Sequence, residues 1–169
     1  MSLVSREAFD EKYMKYSQEL MNVSYGYTKS RDDSFDIIQN VFLKYFNLNK
    51  SFINDNDEKY WLIRVTINES KDYLRKKKRI INVDDDKIDI LSDDLKTEEK
   101  DERLDKLSNL VKELPEKYKS VIVLHYYDKL TIIEISNILK ISLNAVKKRL
   151  ERSRKMLKEK MEEWICLMI

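Results

Sequence analysis

Glycine and proline are almost absent from this chain, with one of each in 169 residues. Hairpins and tight β-turns draw on both residue types, so a strand-rich fold is disfavoured and an all-α one is expected. Cysteine is as scarce: the single Cys166 excludes an internal disulfide and a cysteine-built zinc cluster, and suits a reducing, intracellular setting. No run of about twenty apolar residues exists and the N-terminal stretch lacks a signal-peptide core, which points to a cytoplasmic protein with no membrane partner. Phosphate-cradling glycine loops, nucleophile elbows and metal-ligand clusters are missing too. The chain therefore reads as a non-enzyme that needs neither cofactor nor metal. The only histidine, His125, has no Asp, Ser or Cys at catalytic spacing and is expected to be structural.

Charge is what the chain has in quantity. Charged residues make up 38% of it and hydrophobic ones 42%, enough for modest cores under a heavily charged surface. The net charge of +2 conceals a segregation of sign along the sequence. The most informative stretch is Thr131 to Lys155, TIIEISNILKISLNAVKKRLERSRK. Thr131 and Glu134 have the T-x-x-E spacing of a capping box, and Ile132, Ile135, Ile138 and Leu139 recur at helical intervals. Lys140-Ile141-Ser142 breaks the pattern, and Ser142 can cap a second helix whose buried stripe is Val146, Leu150 and Leu157. Lys147, Lys148, Arg149, Arg152, Arg154 and Lys155 crowd its remaining faces, diluted first by Glu151. A basic helix is most often a solvated face. A short turn capped on both sides, with cations from the first turns of the second helix onward, instead favours a helix-turn-helix that sets its second helix in a DNA major groove.

Upstream, three helices are expected. The first spans Phe9 to Tyr27 with Phe9, Tyr13, Tyr16, Leu20, Val23 and Tyr27 on one stripe. After a loop at Lys29-Ser30-Arg31, Asp32 or Asp33 caps a second helix that runs to about Phe46. Its inner face is Phe35, Ile38, Val41, Phe42 and Tyr45, with Asp36, Gln39 and Asn40 exposed. Asn47 to Glu58 reads as a loop, and a third helix runs from Lys59 to about Lys78, ending in the basic run Arg75-Lys76-Lys77-Lys78-Arg79. Cations suit a helix C-terminus for electrostatic reasons alone. Yet aromatics (Tyr60, Trp61, Tyr73), the Asn68 amide and a basic run on one helix are the ingredients of single-strand binding, by stacking, edge reading and phosphate contact. From Ile80 to about Leu95 the helical pattern stops and Asp dominates, a solvated acidic linker between two helical domains.

The second domain begins near Thr97. Leu104, Leu107, Leu110, Val111 and Leu114 face inward on its first helix, which Pro115 ends. A helix from Glu116 to Tyr127 follows, and Asp128-Lys129-Leu130 turns into the helix-turn-helix. Near the C-terminus Met161, Trp164 and Ile165 can extend the last buried stripe, while Leu167, Met168 and Ile169 await a neighbour or a partner.

Two distant stretches resemble one family. DSFDIIQNVFLKYF with WLIRVTINESKDYLRKKKR, and later LPEKYKSVIVLHYYDKLTIIEISNILKISLNAVKKRLERSRKML, are similar to regions 2 and 4 of bacterial extracytoplasmic-function sigma factors. The resemblance implies two small helical domains: residues 1–79 as region 2 and residues 97–169 as region 4, with an acidic linker over 80–96. It implies a factor that binds core RNA polymerase, recognises minus-35 and minus-10 promoter elements and promotes initiation. Asp36, Gln39 and Phe42 match the segment that docks on the clamp helices of the largest polymerase subunit, although Phe42 can equally serve the core. Many relatives have Glu where Asn40 stands, which removes one charge from that segment. Asn68 matches the position that contacts an unstacked base of the single-stranded minus-10 element, with Asp72, Tyr73, Arg75 and Lys76 further along the same helix. Residues 47–55 match the loop that receives a flipped base, and Trp61 a core anchor. Lys147, Lys148, Glu151 and Arg152 match the exposed face of the helix that reads duplex minus-35 DNA, and Arg149 a backbone contact. The acidic linker matches a segment that relatives thread through the RNA-exit path. Relatives are often held inactive by an anti-sigma factor, a further partner class. Two other readings compete: a stand-alone helix-turn-helix regulator without polymerase docking, and a sigma-like regulatory protein that no longer opens promoters.

Overall fold

The computed structural model describes residues 6–83 and 101–169. Among them there is no strand; every regular element is a helix. The chain divides into two compact units, Met1–Asp93 and Asp94–Ile169. No described helix is long and apolar enough to cross a membrane.

The first unit packs three helices, each against the other two: α1 (Arg6–Thr28), α2 (Arg31–Phe46) and α3 (Asp55–Val83). The apolar stripe of α1 behaves as its spacing requires over its later turns, with Tyr16, Leu20, Val23 and Tyr27 buried, while Tyr13 is half-buried and Phe9, in the first turn, is exposed. Ile37, Ile38, Val41 and Phe42 of α2 and Leu62, Ile63 and Ile67 of α3 complete the core. Each such side chain contributes roughly 1.5–3 kcal/mol by leaving water. Small polar residues let α1 and α3 approach closely. Ser70 and Thr66 return their hydroxyl protons to carbonyls one turn back (Thr66 and Leu62; 2.7 and 2.8 Å), and Ser70 lies 3.4 Å from Ser24. These hydroxyls are buried yet satisfied, so they cost little.

Several boundaries differ from the sequence expectation. Ser30, not Asp32 or Asp33, caps α2, accepting from the Asp33 backbone N–H at 3.2 Å. Phe35 lies on the outer side of α2, 46% exposed, and Ile37 takes its place in the core. Helix α3 begins at Asp55, not Lys59, because Asp55, Asp57 and Glu58 fill a first turn where carboxylates suit the helix dipole. It runs on through the basic run to Val83, so positions 80–83 of the expected linker are helical. The rest of the expected linker up to 96, with its Asp cluster, lies outside the described residues.

In the second unit α4 (Glu102–Glu113) is capped by Asp101, which accepts from the Arg103 N–H at 3.0 Å. Leu110, Val111 and Leu114 are buried, but Leu104 stands outside, 61% exposed. Pro115 caps α5 (Glu116–Ile122), which widens into a π turn at Val123–Tyr127. That widening puts Val121, Ile122, Val123 and Leu124 all inside, a run that a regular helix could not bury on one face. His125 meets the Leu130 carbonyl through Nδ1 at 3.0 Å, a structural contact that closes the following turn. Next come α6 (Ile132–Leu139) and α7 (Leu143–Met168). The Thr131–Glu134 capping box is formed in both directions (3.2 and 2.9 Å), and Ser142 caps α7 through the Ala145 N–H at 3.1 Å. Val146, Leu150 and Leu157 are buried as expected, joined by Ser153.

The scarcity of glycine has a visible consequence. Lys29, Lys129 and Lys140 hold φ of 56°, 54° and 55° at the turns after α1, after the π turn and after α6. Lysine occupies positions where glycine would incur no Cβ penalty.

Candidate nucleic-acid interfaces

In the second unit the helix-turn-helix leaves one face of α7 bare. Lys147, Lys148, Glu151 and Arg152 are exposed and Arg149 is half-buried, on the side away from Val146, Leu150 and Leu157. Lys147, Lys148, Arg149, Arg152, Arg154 and Lys155 form no ion pair among the described residues; on α7 only Lys158 does, with Glu162 at 3.9 Å. Unpaired cations on a helix seated by a short capped turn can contact guanine edges and phosphates, and Glu151 can accept from a cytosine amine.

In the first unit α3 carries the other candidate face. Asn68 is exposed, as are Asp72, Arg75 and Lys76. Its amide is therefore available to a base edge. Here the charges partly cancel. Arg75 pairs with Asp72 at 3.1 Å, and Lys77 with Asp33 at 2.8 Å. Tyr73 is half-buried, its hydroxyl donating to Asp33 at 2.7 Å. That hydrogen bond, with burial and the Asp33 charge adding to it, pushes the phenol up to about 12. Tyr73 is thus tied to α2 by its hydroxyl, and only its ring remains to offer. Trp61 is half-buried against Phe52 and Tyr45, with ring centroids 5.8 and 6.3 Å away, an anchor for the loop before α3.

That loop, residues 47–54, borders an open cavity of about 480 Å³ lined among others by Lys12, Tyr45, Lys50, Phe52, Ile53 and Glu58. Glu58 sits at its base, 5% exposed, and gathers three donors. Lys12 and Tyr16 each reach one carboxylate oxygen at 2.8 Å and Tyr45 reaches the other. Burial alone would raise the Glu58 carboxyl, but the three donors outweigh it and hold it below its ordinary value. Burial and the same carboxylate push the Tyr16 and Tyr45 phenols upward. The sequence did not single out Glu58. Its only signal there was a carboxylate at the expected start of a helix, which normally means a solvated first turn.

The outer face of α2 presents Asp36, Gln39 and Asn40, exposed between the apolar Phe35 and Leu43. Phe42, expected among the docking residues, is 2% exposed and belongs to the core. It falls on the helical stripe of Ile38 and Val41, and its ring meets Tyr13 at 5.0 Å and Phe9 at 6.3 Å. It cannot touch a partner without unfolding that cluster; Phe35 and Leu43 are the apolar groups that can.

With these faces defined, known proteins with the same layout can be set beside the chain. Residues 13–80 match the Sigma-70 region 2 family and residues 104–157 the Sigma-70, region 4 family. The chain is 31% identical over 143 residues to the RNA polymerase sigma factor SigV of Bacillus subtilis, covering 85% of this chain and 84% of that one. It is 30% identical over 172 residues to the ECF RNA polymerase sigma factor SigW of the same organism, covering 94% and 91%. Among solved structures, CnrH in complex with the cytosolic domain of CnrY shares the fold with a TM-score of 0.69 at 19% identity, over 95% of this chain and 91% of that one. The sigma factor RpoE in complex with the anti-sigma factor NepR from Bartonella quintana does so with a TM-score of 0.68 at 20% identity, over 90% and 96%. The chain belongs to the extracytoplasmic-function RNA polymerase sigma factors.

Proposed function

We propose that this sigma factor divides promoter recognition between its two units, region 2 taken as residues 1–79 and region 4 as residues 97–169. The exposed strip of α2, Asp36 and Gln39 flanked by Phe35 and Leu43, docks on the clamp helices of the largest subunit of core RNA polymerase. Asn68, with Asp72, Tyr73, Arg75 and Lys76, holds the unpaired non-template strand of the minus-10 element. The cavity under residues 47–54 receives its flipped base, where stacking on Tyr45 or Phe52 returns the few kcal/mol that extrusion costs. Lys147, Lys148, Arg149, Glu151 and Arg152 engage minus-35 duplex in its major groove. The chain does this in the cytoplasm without chemistry of its own, and an anti-sigma factor is its proposed regulator.

The observation that carries this reading is the exposure of Asn68 on one unit together with the unpaired cation face of α7 on the other. Run-off transcription with purified core polymerase on fragmented genomic DNA, followed by mapping of start sites, tests it. Transcripts that begin downstream of a shared pair of elements are expected. Failure to bind core polymerase would favour a stand-alone regulator, and binding without any transcript a sigma-like regulatory protein.

A further inference from the structure

Beside the recognition helix lies a notch of about 260 Å³ lined by Lys117 and Tyr118 of α5 and by Ala145, Lys148, Arg149 and Arg152 of α7. No acidic residue lines it, and none of its four cations has an ion-pair partner among the described residues. Its geometry is built rather than accidental. The backbone of α5 lies close to α7 here, with the Tyr118 carbonyl 3.5 Å from the Ser153 hydroxyl, which itself donates to the Arg149 carbonyl. Lys117 lies over the Tyr118 ring, its ammonium 4.9 Å from the centroid. Ala145, Lys148, Arg149 and Arg152 share one side of α7 by their spacing of three and four, and the small Ala145 leaves the notch open.

We propose that Lys117 and Tyr118, together with Arg149 and Arg152, form a seat for one backbone phosphate of the DNA duplex. The inference rests on α7 being the duplex-binding helix and extends the interface onto α5. The chemistry fits a phosphate. Two guanidinium groups offer forked donors, the ammonium a compact charge and the phenol a hydroxyl donor, which is how phosphate contacts fix register without reading sequence. Arg152, by hydrogen bonding, and Lys117 lower the Tyr118 phenol below its ordinary value, which strengthens that hydroxyl as a donor. The seat positions α7 in the groove; base discrimination stays with the outer face.

The test is the salt dependence of affinity between the full chain and a short mixed-sequence duplex, read by fluorescence anisotropy. Lys117 is exposed, so its substitution should leave the fold intact, and thermal melts of each variant check that. Lys117→Ala should weaken binding about fivefold and lower the slope of log affinity against log salt by part of the roughly 0.9 that one phosphate contact is worth, because Arg149 and Arg152 stay on that phosphate. Lys117→Arg should restore the slope, and Tyr118→Phe should weaken binding without changing it. A Lys117→Ala slope equal to wild type overturns the seat. If Lys147→Ala still weakens binding in that case, the groove reading of α7 stands without the seat. If Lys147→Ala also changes nothing, or the wild-type chain binds duplex with no salt dependence, both fall.

Discussion

The two units use charge in opposite ways. In the first, cations close on carboxylates of neighbouring helices: Lys12 on Glu58, Lys15 on Asp55, Lys59 on Glu19, Lys44 on Glu69 and Lys77 on Asp33. Those contacts link the three helices and leave an exposed Asn68 amide, half-buried aromatic rings and a basic run in which Arg75 and Lys77 are paired. In the second unit the core is almost wholly aliphatic, and on α7 only Lys158 forms an ion pair among the described residues. A single strand with splayed bases is gripped by stacking and edge contacts, whereas duplex binding gains from counterion release. With Arg75 and Lys77 already paired, the first unit is expected to show a smaller salt slope than the second, at about 0.7 for each single-strand phosphate it contacts.

The contrast can be broken most forcefully at the core of the first unit. Phe42→Ala should lower its stability by about 3–5 kcal/mol, the range for truncating a buried aromatic. Each unit has one tryptophan, Trp61 and Trp164, so urea unfolding in a Trp164→Phe background reads the first unit alone. Unchanged stability with weakened polymerase binding would return Phe42 to the docking face.

Glu58→Gln comes next and should cost the first unit about 1–2 kcal/mol, by removing the charge from a buried acceptor that still has neighbours to bond. The acid side tells the same story. The folded carboxyl of Glu58 lies below its ordinary 4.5, so its contribution is complete above that pH and fades as pH falls through the lower folded value. Wild type should lose stability over that window, and Glu58→Gln should lose less. Matching acid profiles would show that the Glu58 charge adds nothing to the packing of α3 on α1 and α2.

In the second unit, Arg152→Ala should leave stability unchanged and lower the duplex salt slope by at most the roughly 0.9 of one phosphate contact. The same loss of slope from Arg75→Ala would erase the difference between the units. The smallest effect concerns the turn before α7. Lys140 holds a positive φ, so Lys140→Gly should stabilise the second unit by about 0.5–1 kcal/mol in Trp164-monitored unfolding.

What the sequence made legible follows from how local each signal is. The helix-turn-helix was readable to the residue because both its caps are short-range hydrogen bonds between named side chains, Thr131 with Glu134 and Ser142 with the Ala145 N–H. The buried stripes of α1 and α7 follow from helical periodicity, whereas Asn68 was singled out by its residue type and by the family resemblance, and its exposure is read from the structure. Phe35 and Leu104 were placed inside because they are apolar, yet an exposed apolar residue on an outer helix face or a first turn breaks no local rule. Ser24, Thr66 and Ser70 were invisible as core residues, because burial costs them little only once a carbonyl one turn back or a partner helix is in place. Glu58 was invisible for the same reason: its donors Lys12 and Tyr16 come from more than forty positions away. The π turn could not be read at all, since nothing in VLHYY distinguishes it from a regular helix.

The central claim is that one unit holds an unpaired strand while the other grips intact duplex, and one paired experiment tests it. Holoenzyme is assembled with Asn68→Ala or with Lys147→Ala, and each is scored on a mapped promoter for permanganate reactivity of minus-10 thymines and for protection of upstream duplex. Asn68→Ala should lose reactivity about tenfold, the worth of one good polar contact, and keep upstream protection; Lys147→Ala should weaken upstream protection first. Equal losses of both signals in both variants would contradict the division.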